Sequence, residues 1–167
     1  LGERLPIEVR LVRAPSLDAG EVAGAVASVG LQAEVVADRR FETIADSHLA
    51  LCASGTATLE TGLLGTPMIV LYRLSPVTYR LAKLLVDVPH FSLVNLVLGR
   101  GVVPELLQRE AEPGRIAATA ESLLTDRRGI QRMRAELGGL RERLGAPGAS
   151  ERAAAEVADL LTDGSVR

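Results

Sequence analysis

Several features are scarce or absent in this sequence of 167 residues, and each absence argues against a class of protein. The single cysteine, Cys52, cannot form an internal disulfide, which fits a reducing compartment. Neither histidine is clustered with it at metal-ligand spacing, so we expect no bound metal. The net charge is −2, whereas a nucleic-acid-binding domain normally carries a basic excess, so we expect no nucleic-acid partner. No apolar run is long enough to span a membrane and no signal peptide is visible, which indicates a cytoplasmic location.

Aromatic residues make up only 2% of the chain, and tryptophan is absent. The core must therefore consist mainly of leucine, valine, alanine and isoleucine, and the 47% hydrophobic content is enough for the core of one domain. Cys52 lies within an apolar run, which favours a small core residue over a nucleophile.

Strand-like and helix-like patterns alternate along the chain, which predicts a parallel sheet in an α/β domain. Strands are predicted at residues 7–12, 33–37, 48–53, 68–72 and 91–98. Helices are predicted after a cap at Ser16, after a cap at Asp38, at 56–64 and 76–86, and as a short helix from Pro104. Residues 113–163 form the C-terminal helices, with a break at 145–148. The predicted fold is one Rossmann-like parallel sheet with flanking helices over residues 1–167.

Small residues form the predicted turn between the strand at 48–53 and the next helix. The turn consists of Ser54, Gly55, Thr56, Ala57 and Thr58, so a ligand could approach its backbone closely. The carboxyl ends of parallel strands are where ligands bind, and a helix start presents free N–H groups that suit a phosphate. Glu60 lies about one turn into the helix, where its carboxylate could accept hydrogen bonds from two ribose hydroxyls. The spacing is equally compatible with an ordinary connection in which Thr56 caps the helix and Glu60 faces solvent.

Further candidate groups follow the next strand. Arg73, Arg80 and Lys83 could add positive potential near a diphosphate or anionic lipid head groups, or could form a solvated basic face. Asn95 is the one strongly polar residue of an apolar run, so when buried it must hydrogen-bond to backbone or to a ligand.

A Gly-x-Ser-x-Gly elbow is absent around Ser54, which argues against a hydrolase.

A series of motifs occurs in a fixed order over residues 41–108. They are Ser-Gly-Thr-Ala-Thr-Leu-Glu at 54–60, Gly-Thr-Pro-Met at 65–68, Tyr-Arg-Leu-Ser-Pro at 72–76, Leu-Ala-Lys at 81–83, Ser-Leu-Val-Asn-Leu at 92–96, Gly-Arg at 99–100 and Val-Pro-Glu-Leu-Leu-Gln at 103–108. In these residues the chain resembles the nucleotide-sugar half of the lipid-A-disaccharide synthases, which are GT-B glycosyltransferases. The resemblance implies the C-terminal domain of the GT-B fold.

The resemblance also implies an inverting hexosyl transfer in lipid A biosynthesis. The donor would be UDP-2,3-diacylglucosamine and the acceptor 2,3-diacylglucosamine 1-phosphate, and this chain would supply the UDP-sugar donor site. The backbone of residues 54–58 and Arg73 would hold the diphosphate, and Glu60 and Asn95 would orient the nucleotide. Glu105 and Gln108 would line the donor pocket. The family works without a metal, so neither a metal nor another cofactor is expected.

The same resemblance assigns the acceptor site, the catalytic base and the membrane-facing surface to an N-terminal domain. The family's first strand in this half ends in Leu-Pro-Gly-Ser-Arg, which does not precede Ile7, and the first residue is Leu1. We therefore interpret the chain as the C-terminal part of an enzyme that is peripheral to the inner membrane and could be a homodimer. Alone, it should bind the donor weakly and should not turn over. The alternatives are another GT-B enzyme that uses a UDP-sugar, or a truncated binding module without catalysis.

Overall fold

The computed structural model describes residues 1–2, 4–75 and 89–162 as a mixed α/β protein. Its strands in this part of the chain are β1 Arg10–Val12, β2 Glu34–Val36, β3 Ala50–Ala53, β4 Met68–Tyr72 and β5 Glu105–Leu107. The helices are α1 Ala19–Ser28, α2 Arg40–Ala45, α3 Thr56–Leu63, α4 Leu93–Leu98, α5 Pro113–Thr125, α6 Arg127–Leu137, α7 Leu140–Leu144 and α8 Ala149–Thr162. A 3-10 helix, Gln108–Glu110, follows β5. Parallel sheets flanked by helices, with a helical C-terminus, confirm the predicted fold class.

The described strands form two parallel sheets rather than one continuous sheet. β1 pairs with β2, and the second sheet has the order β3, β4, β5. In the second sheet Ala53 lies opposite Leu71 and Tyr72 lies opposite Leu107, so the carboxyl ends of its strands share one edge. The turn after β3, residues 73–75 after β4 and the 3-10 helix after β5 therefore all lie along this edge, where ligands bind in parallel sheets.

Residues 91–98 contain a helix rather than the predicted strand. The side chain of Ser92 caps α4 by accepting a hydrogen bond from the N–H of Asn95 at 3.2 Å, and Gly99 ends the helix with a φ of 69°. A short, mainly apolar run fits a buried strand or a buried helix equally well. The serine before the run and the glycine after it are the helix boundary signals that decide the matter.

The short helix predicted from Pro104 is also wrong, because Glu105–Leu107 is strand β5. The carbonyl of Pro104 accepts a hydrogen bond from the N–H of Val70 at 2.9 Å, and Glu105 lies opposite Val70 in the ladder. Proline opens a helix or a strand equally well, and pairing with β4 decides between them here.

Two other predicted details change, and one lies outside the described residues. Asp18 rather than Ser16 caps α1, because its carboxylate accepts hydrogen bonds from the N–H groups of Gly20 and Glu21 at 2.8 and 3.0 Å. Helix α2 begins after Arg39 without a side-chain cap, so Asp38 does not cap it. The helix predicted at 76–86, with Arg80 and Lys83, lies outside the described residues.

The main core lies on one face of the second sheet. Helices α4, α6 and α7 cover this face, and the buried side chains are Cys52, Met68, Val70, Val94, Leu98, Val103, Met133, Leu137 and Leu140. Met133 and Leu137 of α6 and Leu140 of α7 therefore pack on the sheet. A smaller cluster of Ile69, Leu106 and Ala120 lies on the other face.

Cys52 is a core residue, as the sequence predicts. Its sulfur lies 3.4 Å from the hydroxyl oxygen of Thr61, and burial raises the pKa of its thiol. A raised pKa keeps the thiol protonated at neutral pH, which removes the nucleophilic thiolate.

Helix α8 carries an apolar face that the described part of the chain leaves open. Val157, Leu160 and Leu161 are 57%, 56% and 71% exposed. Within the described ranges, no helix combines the length and apolar character needed to cross a membrane.

Candidate functional site

The turn after β3 has a backbone conformation that requires glycine. Gly55, the N-cap of α3, has a φ of 148° and a ψ of −165°, a region that residues with a Cβ avoid. Two hydrogen bonds from Ser54 fix the turn. Its N–H donates to the carbonyl of Leu71 on β4 at 3.0 Å, and its hydroxyl donates to the carbonyl of Phe91 at 3.2 Å. The turn is therefore tied both to the sheet and to the segment that enters α4.

The start of α3 is left without a side-chain cap. Gly55 has no side chain to act as a cap, and Thr56 is the first helical residue rather than the N-cap. Thr58 is completely buried, and its hydroxyl donates to the carbonyl of Gly55 at 2.8 Å, so its side chain holds the turn rather than facing solvent. The side chains of Thr56 and Ala57 are exposed. The N–H of Thr58 already donates to the carbonyl of Gly55 at 3.1 Å, so the free N–H groups at this helix start are those of Thr56 and Ala57, which precede the first helical hydrogen bonds. An anion at this point would meet free N–H groups and the positive end of the helix dipole.

The carboxylate of Glu60 lies one turn further along α3 and faces an arginine that sequence reasoning missed. One guanidinium nitrogen of Arg40 is 3.9 Å from the Glu60 carboxylate, and the two side chains are 36% and 42% exposed. The Arg40 guanidinium also lies over the ring of Phe41, 4.2 Å from its centroid. Arg40 precedes Glu60 by twenty residues in the sequence, so only the packing of α2 beside α3 reveals the pair. The Glu60 carboxylate is therefore partly exposed to solvent and lies near the positive charge of Arg40.

Arg73 lies just beyond the carboxyl end of β4 and is exposed. It forms no ion pair with any residue in the described ranges. Ser54 bonds to Leu71, two residues before Arg73, which keeps the turn and the start of this loop at the same edge of the sheet.

The side chain of Asn95 makes all its hydrogen bonds inside the protein. Its amide nitrogen donates to the carbonyl of Val103 at 2.9 Å and to the Glu105 carboxylate at 2.7 Å. Its amide oxygen accepts from the N–H groups of Val102 and Val103 at 2.8 and 3.0 Å. Asn95 is 1% exposed, and this geometry leaves no group of its amide for a nucleotide.

Glu105 completes the same network and anchors the start of α4. One carboxylate oxygen accepts from the N–H of Phe91 at 2.9 Å. The other accepts from the N–H and the hydroxyl of Ser92 at 3.0 and 2.7 Å, as well as from Asn95. Burial raises the pKa of Glu105, but the hydrogen bonds from Phe91, Ser92 and Asn95 outweigh burial, and the net pKa is below its ordinary value. The ionised carboxylate therefore has a structural role, as the acceptor of these hydrogen bonds. One of its partners is Phe91, whose carbonyl accepts the hydrogen bond from the Ser54 hydroxyl.

Acid should weaken the protein through this carboxylate. Because the pKa of Glu105 is lower in the folded chain than in the unfolded chain, ionised Glu105 stabilises the fold above the ordinary glutamate pKa. That stabilisation is lost as the pH falls from about 4.3 through the lower pKa of the folded state. In urea unfolding, Glu105→Gln should be less stable than wild type at pH 7, and the difference should shrink between pH 5 and pH 3, a range that follows from the ordinary glutamate pKa of about 4.3.

Glu110→Gln provides the control for this pH series, because Glu110 is exposed and lies outside the network. It should leave the pH profile unchanged. A constant difference between Glu105→Gln and wild type over the whole pH range would show that the carboxylate charge does not stabilise this network.

Gln108 is the first residue of the 3-10 helix after β5 and has a left-handed conformation, with a φ of 51°. In the amide orientation that satisfies both groups, its side chain pairs with the backbone of Leu74: the nitrogen donates to the carbonyl at 3.1 Å and the oxygen accepts from the N–H at 3.2 Å. The residues predicted from the sequence thus fall into two groups. Thr56 and Ala57 of the turn, Glu60 and Arg73 are accessible, whereas the polar groups of the other predicted site residues bind other parts of the protein. This second group consists of Ser54, Thr58, Asn95, Glu105 and Gln108. In the described ranges no three metal-ligating side chains come together.

Comparison with known proteins gives one consistent family. A family model described as lipid-A-disaccharide synthetase matches residues 21–157. Lipid-A-disaccharide synthase of Geobacter sulfurreducens is 40% identical over 162 residues, which are 96% of this chain and 42% of that protein. The synthase of Anaeromyxobacter dehalogenans strain 2CP-C is 47% identical over 131 residues, 78% of this chain and 34% of its own length. The synthase of Myxococcus xanthus is 40% identical over 164 residues, 98% and 43% respectively. The chain therefore spans between a third and just over two fifths of these relatives.

Proposed function

The chain belongs to the lipid-A-disaccharide synthase family, and we propose that it forms the donor-nucleotide site of such a glycosyltransferase. The uncapped start of α3, at the carboxyl end of β3 and one turn before Glu60, is the observation that carries the proposal. A diphosphate at this helix start would have the Glu60 carboxylate one turn further along α3, where it could bind the ribose.

In the proposed reaction, UDP-2,3-diacylglucosamine is the donor and 2,3-diacylglucosamine 1-phosphate is the acceptor. A hydroxyl of the acceptor attacks the anomeric carbon from the face opposite UDP, the bond from that carbon to the diphosphate oxygen breaks, and the configuration inverts. Negative charge develops on the departing diphosphate. The N–H groups at the start of α3 and the guanidinium of Arg73 stabilise that charge, since dipoles and cations fixed in advance act where charge appears. The proton of the acceptor hydroxyl goes to a base that we assign to the remainder of the enzyme.

The nucleotide is oriented by Glu60, whose carboxylate accepts hydrogen bonds from both ribose hydroxyls. Arg40, whose guanidinium lies 3.9 Å from that carboxylate, offsets part of its charge near the diphosphate. We assign Asn95 and Glu105 an indirect part, because their hydrogen bonds fix Phe91 and hence the Ser54 turn. The acceptor, the inner-membrane surface and a second subunit would be contacted mainly by the remainder of the enzyme.

A chimeric enzyme tests the proposed activity. In the Geobacter sulfurreducens synthase, the segment matched to this chain is replaced by this chain, and release of UDP is measured with purified donor and acceptor. The chimera should form the disaccharide, and Glu60→Gln in the chimera should reduce the rate more than the exposed control Glu156→Gln. A folded chimera that binds donor and acceptor but forms no product would contradict the proposal, as would disaccharide formation by this chain alone.

A further inference from the structure

Gln108 has a strained backbone that its side chain explains. Its φ of 51° is the only left-handed value among non-glycine residues of the described ranges. Glycine takes this conformation freely, whereas other residues hold it only when the surrounding contacts enforce it, and such strain is concentrated at functional sites. A glycine here would remove the strain but would also remove the amide. The protein therefore has a glutamine side chain at a position where the backbone conformation alone would favour glycine.

The Gln108 amide extends the pairing of β4 with β5. The backbone ladder ends where Tyr72 lies opposite Leu107. One step further, the side-chain amide of Gln108 takes the role of a peptide group and pairs with both backbone groups of Leu74, at 3.1 and 3.2 Å. Two hydrogen bonds to one residue fix both its position and the direction of its peptide planes. With the left-handed backbone at Gln108, the side chain reaches Leu74, which lies beyond the carboxyl end of β4.

We propose that Gln108 is a positioning residue that holds the Arg73–Leu74 segment at the ligand-binding edge of the sheet. Arg73 is exposed and follows Leu71, whose carbonyl binds the N–H of Ser54, so the clamp on Leu74 and the bond at Leu71 fix the chain on both sides of Arg73. Gln108 thereby keeps a cation beside the turn that receives the diphosphate. This inference rests on the proposed donor site and deepens it: Gln108 acts on the diphosphate through Arg73 rather than by touching the nucleotide.

The inference is tested with Gln108→Gly, which removes the amide and relieves the strained φ, and with Gln108→Ala, which removes the amide alone. The matched control is Gln131→Ala, an exposed glutamine on α6. Hydrogen exchange of the Leu74 N–H should accelerate at least tenfold in both Gln108 variants, because its acceptor is gone, while exchange at the Ser54 N–H stays at the wild-type rate. Gln108→Gly should unfold at a higher temperature than Gln108→Ala.

Nucleotide titrations then separate a positioning role from a merely structural one. Affinity for UDP should fall several-fold in Gln108→Gly, while affinity for uridine, which has no diphosphate, should be unchanged. Unaltered exchange at Leu74 would overturn the clamp, and an equal loss for UDP and uridine would overturn its action through Arg73. The exchange measurement needs no nucleotide. If the wild-type chain binds no UDP while Leu74 exchange still accelerates, the donor site fails and the clamp on Leu74 stands.

Discussion

Replacing Asn95 with alanine is expected to destabilise the folded chain by about 3 kcal/mol. The amide makes four hydrogen bonds in a site that is almost completely buried. Alanine would leave the N–H groups of Val102 and Val103 and the carbonyl of Val103 without partners, and would take one donor from Glu105. Each buried polar group that loses its partner costs about 1–3 kcal/mol. The total loss of stability is smaller than the sum of these costs, because local relaxation and entry of water satisfy some of the groups.

Urea unfolding of Asn95→Ala beside Leu96→Ala measures this effect. Leu96 is the next residue of α4 and is 40% exposed, so its truncation should cost less than about 1 kcal/mol. UDP affinity of the folded fraction should fall only moderately in Asn95→Ala, because the residue acts through the position of the Ser54 turn. A variant as stable as wild type that has lost UDP binding would instead show that Asn95 contacts the nucleotide directly.

Replacing Glu60 with glutamine should weaken UDP binding by about 2 kcal/mol, or roughly thirtyfold. The reason is chemical, because a carboxylate accepts two charge-assisted hydrogen bonds from the ribose diol, whereas an amide of the same shape offers one neutral acceptor oxygen. Folding stability should hardly change, since Glu60 is partly exposed and its ion pair with Arg40 is long, at 3.9 Å.

Analogues that lack one ribose hydroxyl show whether this carboxylate reads the ribose. Wild type should prefer UDP to 2′-deoxy-UDP, and Glu60→Gln should lose most of that preference. Arg40→Ala should weaken UDP binding less than Glu60→Gln but more than Arg39→Ala, which removes the same charge from the exposed neighbouring residue. An undiminished preference for UDP in Glu60→Gln would show that Glu60 does not bind the ribose.

The position of the turn at 54–58 could be predicted from the sequence, because it depends on local order. A buried strand, a turn of small residues and a helix place residues 54–58 at the carboxyl end of β3 whatever the rest of the chain does. The boundaries of β4 were predicted correctly for a similar reason, since Gly65 and Pro67 mark its start. The interpretation of Thr56 as a cap failed only at the level of one residue, because Gly55 is the N-cap.

The contacts of the other site residues could not be predicted, because they depend on pairing between distant segments. Asn95 and Glu105 bind each other because Asn95 lies on helix α4 and Glu105 lies on strand β5. The sequence pattern predicted a strand for the first segment and a helix for the second, so the contact could not be foreseen. Gln108 reaches Leu74 because of a left-handed φ that no residue preference indicates for glutamine. Arg40 meets Glu60 across two helices. In each case the residue type indicated a polar or charged contact, but the sequence did not indicate which residue the side chain would contact.

Calorimetric titration of the wild-type chain with UDP, and separately with ADP, tests the central claim most directly. A chain that carries the donor-nucleotide site of a lipid-A-disaccharide synthase should bind UDP with measurable heat and more tightly than ADP. If neither nucleotide gives heat with a chain shown by circular dichroism to be folded, or if the two bind equally, the claim that residues 54–60 form a donor-nucleotide site in this chain is contradicted.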